Sequence, residues 1–160
     1  MIFYILLLGL PIYTTYIALK YGVQDSISIS YYNLREKDKW IFTVALWSFA
    51  LPGAIILDTL LMLVASLGII FVGGACHFVE KDAGDKPAPM AYWTHMIGSY
   101  WGVILSQAAL WINFGYWYLT VLFVGIVLSM KLLRTNNFTW WVEVSAIGTV
   151  LIGIILKLVG

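Results

Sequence analysis

Apolar residues run along the chain in six long stretches: Ile2–Leu19, Trp40–Leu57, Leu60–Val79, Ala91–Ile112, Tyr116–Leu133 and Phe138–Val159. Each approaches the roughly 20 residues that carry a helix across a bilayer. Helix is the expected structure, because every backbone amide must be paired within lipid. The pattern predicts an all-α, polytopic membrane helix bundle of about six transmembrane helices, forming one integral domain over residues 1–160. The first stretch stands where a signal peptide would. It has no basic region ahead of it and no clear small-x-small cleavage site behind it, so a retained first helix is expected. Pro11 predicts a kink in that helix, and Leu51-Pro52-Gly53 a bend or an end late in the second. Asp85-Lys86-Pro87-Ala88-Pro89 reads as an extended loop before the fourth. No internal repeat points to an inverted-repeat transporter.

The polar gaps between the stretches add an orientation. Lys20, Arg35, Lys37 and Lys39 fall at the first gap, Lys81 and Lys86 in the third, and Lys131 and Arg134 at the fifth. The gaps around Asp58-Thr59 and Asn113-Phe114-Gly115 hold no Lys or Arg. Of the nine basic residues only Lys157 breaks the alternation. The positive-inside rule then places the first, third and fifth loops in the cytoplasm and both termini outside. Trp40, Tyr92-Trp93, Tyr116-Trp117 and Trp140-Trp141 stand at helix starts, where interfacial aromatics are expected. A bacterial cytoplasmic membrane is the location this pattern implies.

Composition narrows the class further. The chain is 62% hydrophobic and 11% charged, with eight Trp, ten Tyr and eight Phe. A soluble domain of 160 residues has no means of hiding so much apolar surface. A net charge of +1 without a basic cluster argues against nucleic acid as a partner. The single cysteine, Cys76, excludes an intrachain disulfide and a cysteine zinc cage, and is most simply a packing residue beside Gly73 and Gly74.

Ionisable groups inside apolar stretches are costly in lipid and are the first candidates for function. Here they are His77, His95 and Glu143, all toward the expected cytoplasmic side. So is the hydroxyl-rich segment Ser26-Ile27-Ser28-Ile29-Ser30-Tyr31-Tyr32. His95 shares a helix face with Gly98 and Gly102, in a small-residue stripe that continues to Ser106. His77 follows Gly73 and Gly74, and Glu143 lies close to the stripe Ser145, Thr149 and Gly153. Two histidines and a carboxylate would suit zinc with an open position for water. Metal-bound water attacks acyl and amide carbonyls. Ser26, Ser28, Ser30, Tyr31 or Tyr32 would donate to the developing oxyanion.

Plainer readings stand beside each of these. His77, next to Glu80 and Lys81, sits comfortably among headgroups, and His95 does so too if shallow. Glu143 has Lys131 or Arg134 as ion-pair partners at the same end. Asp58 is a solvated turn residue on the outer side. The Ser26–Tyr32 segment works equally as an interfacial connector whose serines satisfy local backbone.

Four stretches together resemble a family of small, uncharacterised bacterial or phage-borne six-helix membrane proteins. Ser26–Tyr32 is similar to its Ser-x-Ser-x-x-Tyr-Tyr signature and Phe71-Val72-Gly73-Gly74-Ala75 to Phe-Val-Gly-Ala-Ala. His95-Met96-Ile97-Gly98 resembles His-x-x-Gly, and Asn137-Phe138-Thr139-Trp140-Trp141-Val142-Glu143 resembles Asn-x-Thr-Trp-Trp-Ile-Glu. That resemblance carries no activity with it. A more distant one is to the CREST superfamily of alkaline ceramidases and progestin-receptor-like proteins. It implies a serine, an aspartate and three histidines around zinc in seven helices. This chain departs from it in having two histidines, no paired-His motif and six apolar stretches. The matching parts would be Ser26 to Ser30, His95 and Glu143.

Three functions follow as expectations. The first is a cytoplasmic-side polar site for a lipid-like ligand drawn from the membrane, with metal-dependent hydrolysis of a lipid amide or ester as its enzymatic form. The second is a non-catalytic membrane subunit that forms a homo-oligomer or binds a membrane-protein partner through the Gly98/Gly102/Ser106 stripe. The third is a small channel or transporter. It lacks the paired charges across helix centres that an ion path leaves.

Overall fold

The computed structural model describes residues 2–75 and 89–160. Cys76, His77, Lys81, Lys86, the end of the third apolar stretch and the loop at 85–88 lie outside the described residues. The described chain is all helical. Its α-helices are α1 (Ile2–Leu7), α2 (Gly9–Tyr21), α3 (Trp40–Leu57), α4 (Leu60–Gly74), α5 (Pro89–Ile112), α6 (Trp117–Leu132) and α7 (Phe138–Val159). α1 and α2 are one run broken at Leu8, so the helical stretches number six, as the hydropathy predicts. The spans predicted over Trp40–Leu57 and Phe138–Val159 begin and end where expected. Two helical runs, Glu36–Leu57 and Phe138–Val159, are long and apolar enough to cross a membrane. Ile5–Tyr21, Leu60–Gly74 and Trp117–Leu132 are shorter apolar helices.

The two prolines act differently. Pro11 has no N–H to offer the Leu7 carbonyl, and the helix breaks between them, restarting at Gly9 with Pro11 in the first turn, where no donor is needed. Pro52 sits inside α3, which runs on to Leu57. That helix stops at Asp58, which turns left-handed at φ 41° and donates its N–H to the Ala54 carbonyl. Thr59 is extended and accepts the Met62 N–H at 3.2 Å. Two residues thus end one helix and start the next, using the turn and cap chemistry of Asp and Thr.

α4 packs chiefly on α5 and α3, while α7 packs on α6, α5 and α3. The α4–α5 crossing depends on having no side chain at its centre. A Cβ on Gly98 would lie 2.6 Å from the Gly68 carbonyl oxygen, and one on Gly68 would lie 2.7 Å from that of Gly98. Gly102 and Ser106 continue the buried face. Gly98 and Gly102 of the predicted small-residue stripe thus face α4 within the chain. The Thr149/Gly153 face of α7 is likewise turned to α5, against Gln107 and Leu110.

The ends of the bundle sort the charges. At one end, Lys157 donates to the carbonyls of Ile56 and Leu57 at 2.7 and 3.2 Å and lies over the Phe114 ring. This basic residue, the exception in the loop pattern, serves the C-terminus of α3, where a cation complements the helix dipole. At the other end the connection from α2 to α3 lies on the start of α7. Arg35 and Lys39 there pair with Asp38 and Glu36. Trp140 departs from its expected interfacial role. It is 2% exposed and among the largest fully buried side chains, whereas Trp40, Trp93 and Trp117 are exposed.

Replacing Gly98 with Ala should push α4 and α5 apart and cost about 1–3 kcal/mol. Thermal unfolding of the purified protein measures it. Gly125→Ala is the control, because a Cβ there meets nothing within 4 Å.

Candidate functional site

The hydroxyl-rich segment forms a lid of short helix in which Ser26 and Ser30 bond to local backbone. Gly22, at φ 80°, ends α2, and Gln24 turns back to donate to the carbonyls of Tyr21 and Gly22. Asn33 donates to Gln24 Oε1 at 2.8 Å, closing the loop on itself. Between them lies a 3-10 helix, Ile29–Asn33. Its alternation of Ile and Ser fits this tight coil because the serines bond locally. Ser26 Oγ accepts the Ile29 N–H at 3.2 Å, and Ser30 Oγ donates to the Ile27 carbonyl. Tyr13 of α2 completes the Ser30 hydroxyl from below at 2.7 Å. Tyr31 is 1% exposed, its ring edge-on to Phe42 of α3 and beneath the Lys39 ammonium. Tyr32 is half-buried with its ring edge-on to Tyr31.

α7 holds the lid down. Asn137 donates to the Val23 carbonyl at 2.8 Å, and the Trp140 N–H to the Asp25 carbonyl at 3.1 Å. One turn further, Glu143 Oε2 accepts the Ile27 N–H at 2.6 Å. Glu143 is half-buried and pairs with neither Lys131 nor Arg134, both of which are exposed. A hydrogen bond is worth more in apolar surroundings, where neither group has water as an alternative partner.

The rest of the carboxylate faces a cavity of about 80 Å³ between α2, α3, α4, α5 and α7. Its wall is apolar except at Glu143, Ser28, Ser99 and Ser106. Ser106 spends its proton on the Val103 carbonyl, which leaves it an acceptor. Ser28 makes no side-chain hydrogen bond to another described residue. Ser99 likewise makes none, so the polar edge of the cavity holds two acceptors, Glu143 and Ser106, and two hydroxyls not engaged by another described residue. A water takes about 30 Å³, so the space admits a group of a few heavy atoms. That group is best held if it donates, as a hydroxyl, amide or amine does.

His95 sits elsewhere. It is 3% exposed on α5, within hydrogen-bonding reach of the backbone of Val72 and Ala75, and does not line the cavity. Thr43 donates to the Gly73 carbonyl at 2.8 Å and Trp47 Nε1 to that of Ile70 at 3.1 Å. Side chains from α3 and α5 thus reach carbonyls at the C-terminal end of α4, where helical donors run out. His95 belongs to this cap. Among the described residues no three of His, Cys, Asp and Glu are placed to hold a metal ion. The zinc set of His77, His95 and Glu143 needs His77, which is outside the described residues, so the described residues alone do not make that centre. Of the segment's candidates, Ser28 and Glu143 share the cavity, Ser26 and Ser30 hold the lid together, and Tyr31 is core.

Two polar residues escaped the search for ionisable groups. Tyr13 is buried under Ser30, and Gln107 is buried between α5 and α7. The signal for Gln107 was present: an uncharged amide in the middle of an apolar stretch is also costly in lipid. Comparison with protein-family models, curated proteins and solved structures finds no match to this chain.

Glu143→Leu should leave the Ile27 N–H unpaired and cost about 1–3 kcal/mol. Glu143→Gln keeps an acceptor oxygen and should lose less. Chemical denaturation of the two variants side by side checks the order.

Proposed function

We propose that this chain is a multi-pass protein of the bacterial cytoplasmic membrane that binds a lipid-like molecule at the cytoplasmic end of its bundle. Both termini are extracytoplasmic in this reading. Exposed Leu, Ile, Val, Phe and Trp side chains on every helix from α2 to α7 support a lipid-facing surface. The sorting of loop charges to one end supports the orientation. The observation that carries the ligand reading is the Glu143 carboxylate on the wall of an otherwise apolar cavity, with Ser28 beside it. Groups of this kind fix the orientation of a largely apolar ligand. A hydroxyl or amide N–H of the lipid enters and donates to Glu143, and Ser28 takes the neighbouring oxygen. The chains remain among the helices.

Hydrolysis of an amide or ester lipid is the narrower form of this proposal. Ser28 is the loop serine whose hydroxyl is free to donate to a carbonyl oxygen held beside Glu143. Through that contact this chain's own residues would orient and polarise the bond.

Orientation is tested with single cysteines at Lys37 and Asp58 in a Cys76→Ala background. An impermeant maleimide added outside should label position 58 and spare position 37; equal labelling overturns the orientation. Ligand binding is tested by native mass spectrometry of protein released from phosphatidylethanolamine–phosphatidylglycerol nanodiscs. Wild type should retain a lipid adduct, and Ser28→Ala should lower its occupancy about three- to tenfold, the equivalent of one hydrogen bond. No adduct, or equal retention in the variant, overturns the site.

A further inference from the structure

The lipid reading above leaves open which donor enters beside Glu143, and the register of α5 on α7 narrows it. Three oxygen-bearing side chains of the cavity wall stand at one level. Ser28 directly follows Ile27, whose N–H Glu143 accepts at 2.6 Å. Ser99 comes from α5. Gln107 of α5 donates to Thr149 of α7 at 2.8 Å, and Leu110 packs against Gly153 one turn on. The two helices therefore run in the same direction. Their register sets Ser99 level with Trp141 and Val142, within a turn of Glu143. Glu143, Ser28 and Ser99 all border the cavity, and they come from three separate elements. Ser106 lies two turns further along α5, about 10 Å away along the axis. Between the two levels the wall is apolar, with Phe49, Met62 and Val150 among its residues.

A carboxylate in apolar surroundings is stable beside a cation and costly without one. Among the described residues Glu143 has no cationic partner, and Lys131 and Arg134 at the same end are exposed. One of its oxygens is engaged by the Ile27 N–H, which leaves the other for what enters. A hydroxyl or an amide brings one or two donors and no charge, whereas an ammonium brings three donors, no acceptor and the missing charge. Resting on the lipid reading, we infer that this cavity favours a primary ammonium over a hydroxyl or an amide. Glu143 accepts one N–H, and the Ser28 and Ser99 hydroxyl oxygens accept the other two. The cavity of about 80 Å³ holds the nitrogen and its first carbons. Glu143 stands in the second turn of α7, near the end of the bundle where the amine of a lipid headgroup would enter.

The test is native mass spectrometry of the full-length protein released from nanodiscs that hold phosphatidylethanolamine, phosphatidylcholine and phosphatidylglycerol in equal amounts with the same acyl chains. Phosphatidylcholine keeps the positive charge but has no N–H, and phosphatidylglycerol offers hydroxyls alone. Phosphatidylethanolamine should be retained about tenfold more than either, the worth of a hydrogen bond between charged groups. Glu143→Gln should abolish that preference with helicity unchanged. Ser99→Ala, which leaves the Ile27 contact alone, should reduce it about threefold and decides the matter if Glu143→Gln fails to fold. Added ethanolamine separates the sources of the ammonium. Its displacing the adduct assigns the site to a free amine, and persistence of the adduct assigns it to the headgroup; both support an ammonium. Equal retention of the three lipids, with Ser28→Ala still losing lipid, overturns the ammonium and leaves the lipid site standing. No adduct of any lipid overturns both. A preference for phosphatidylethanolamine that survives Glu143→Gln and Ser99→Ala undiminished overturns the ammonium at this cavity.

Discussion

A carboxylate oxygen on α7 takes a backbone proton from Ile27, 116 residues away in the chain, and the arrangement of the polar end of the molecule follows from that contact. Ile27 is buried, so its N–H has no water to turn to. Once it is held, the Ile27 carbonyl takes the Ser30 hydroxyl, Ser30 takes Tyr13, and Tyr31 drops between Phe42 and Lys39. Asn137 and Trp140 fix the same loop one turn earlier on α7. A connection that hydropathy alone would leave at the surface becomes the roof of the bundle. The same carboxylate is then the polar wall of the cavity beneath it, so the group that closes the roof also addresses what enters.

The rest of the bundle solves a different problem, that of bringing backbones close and satisfying helix ends away from water. Gly68 and Gly98 let α4 and α5 cross with carbonyl oxygens where side chains would otherwise stand. The last carbonyls of α4 receive Thr43, Trp47 and His95, and those of α3 receive Lys157. These are polar residues in apolar helices used as caps. Seen this way, neither His95 nor Lys157 requires a catalytic or topological role to explain its place.

Much of the architecture could be read from hydropathy because helices obey a local rule. Trp40–Leu57 and Phe138–Val159 are bounded by the residues that end the apolar runs. The break at Leu8 rests on the proline signal at Pro11, and the turn at Asp58-Thr59 on two polar residues between apolar ones. What could not be read was which polar groups meet. Ser28 and Glu143 share a wall, yet Ser26 and Ser30, identical in type and two residues away, do not, because a 3-10 turn separates them in a way the alternation of Ser and Ile hides. Trp140 and Trp141 look alike as interfacial anchors, and only the docking of the loop on α7 buries the first. Gln107 carries no charge, so a search for ionisable groups passes over it.

Hydrogen exchange on the unmodified protein addresses the central claim directly. If Glu143 pins the loop through Ile27, the amides of Ile27, Ser30 and Tyr31 should exchange slowly, with protection comparable to the middle of α3. Exchange of those amides at the rate of an open surface loop, with α3 and α7 still protected, would contradict it.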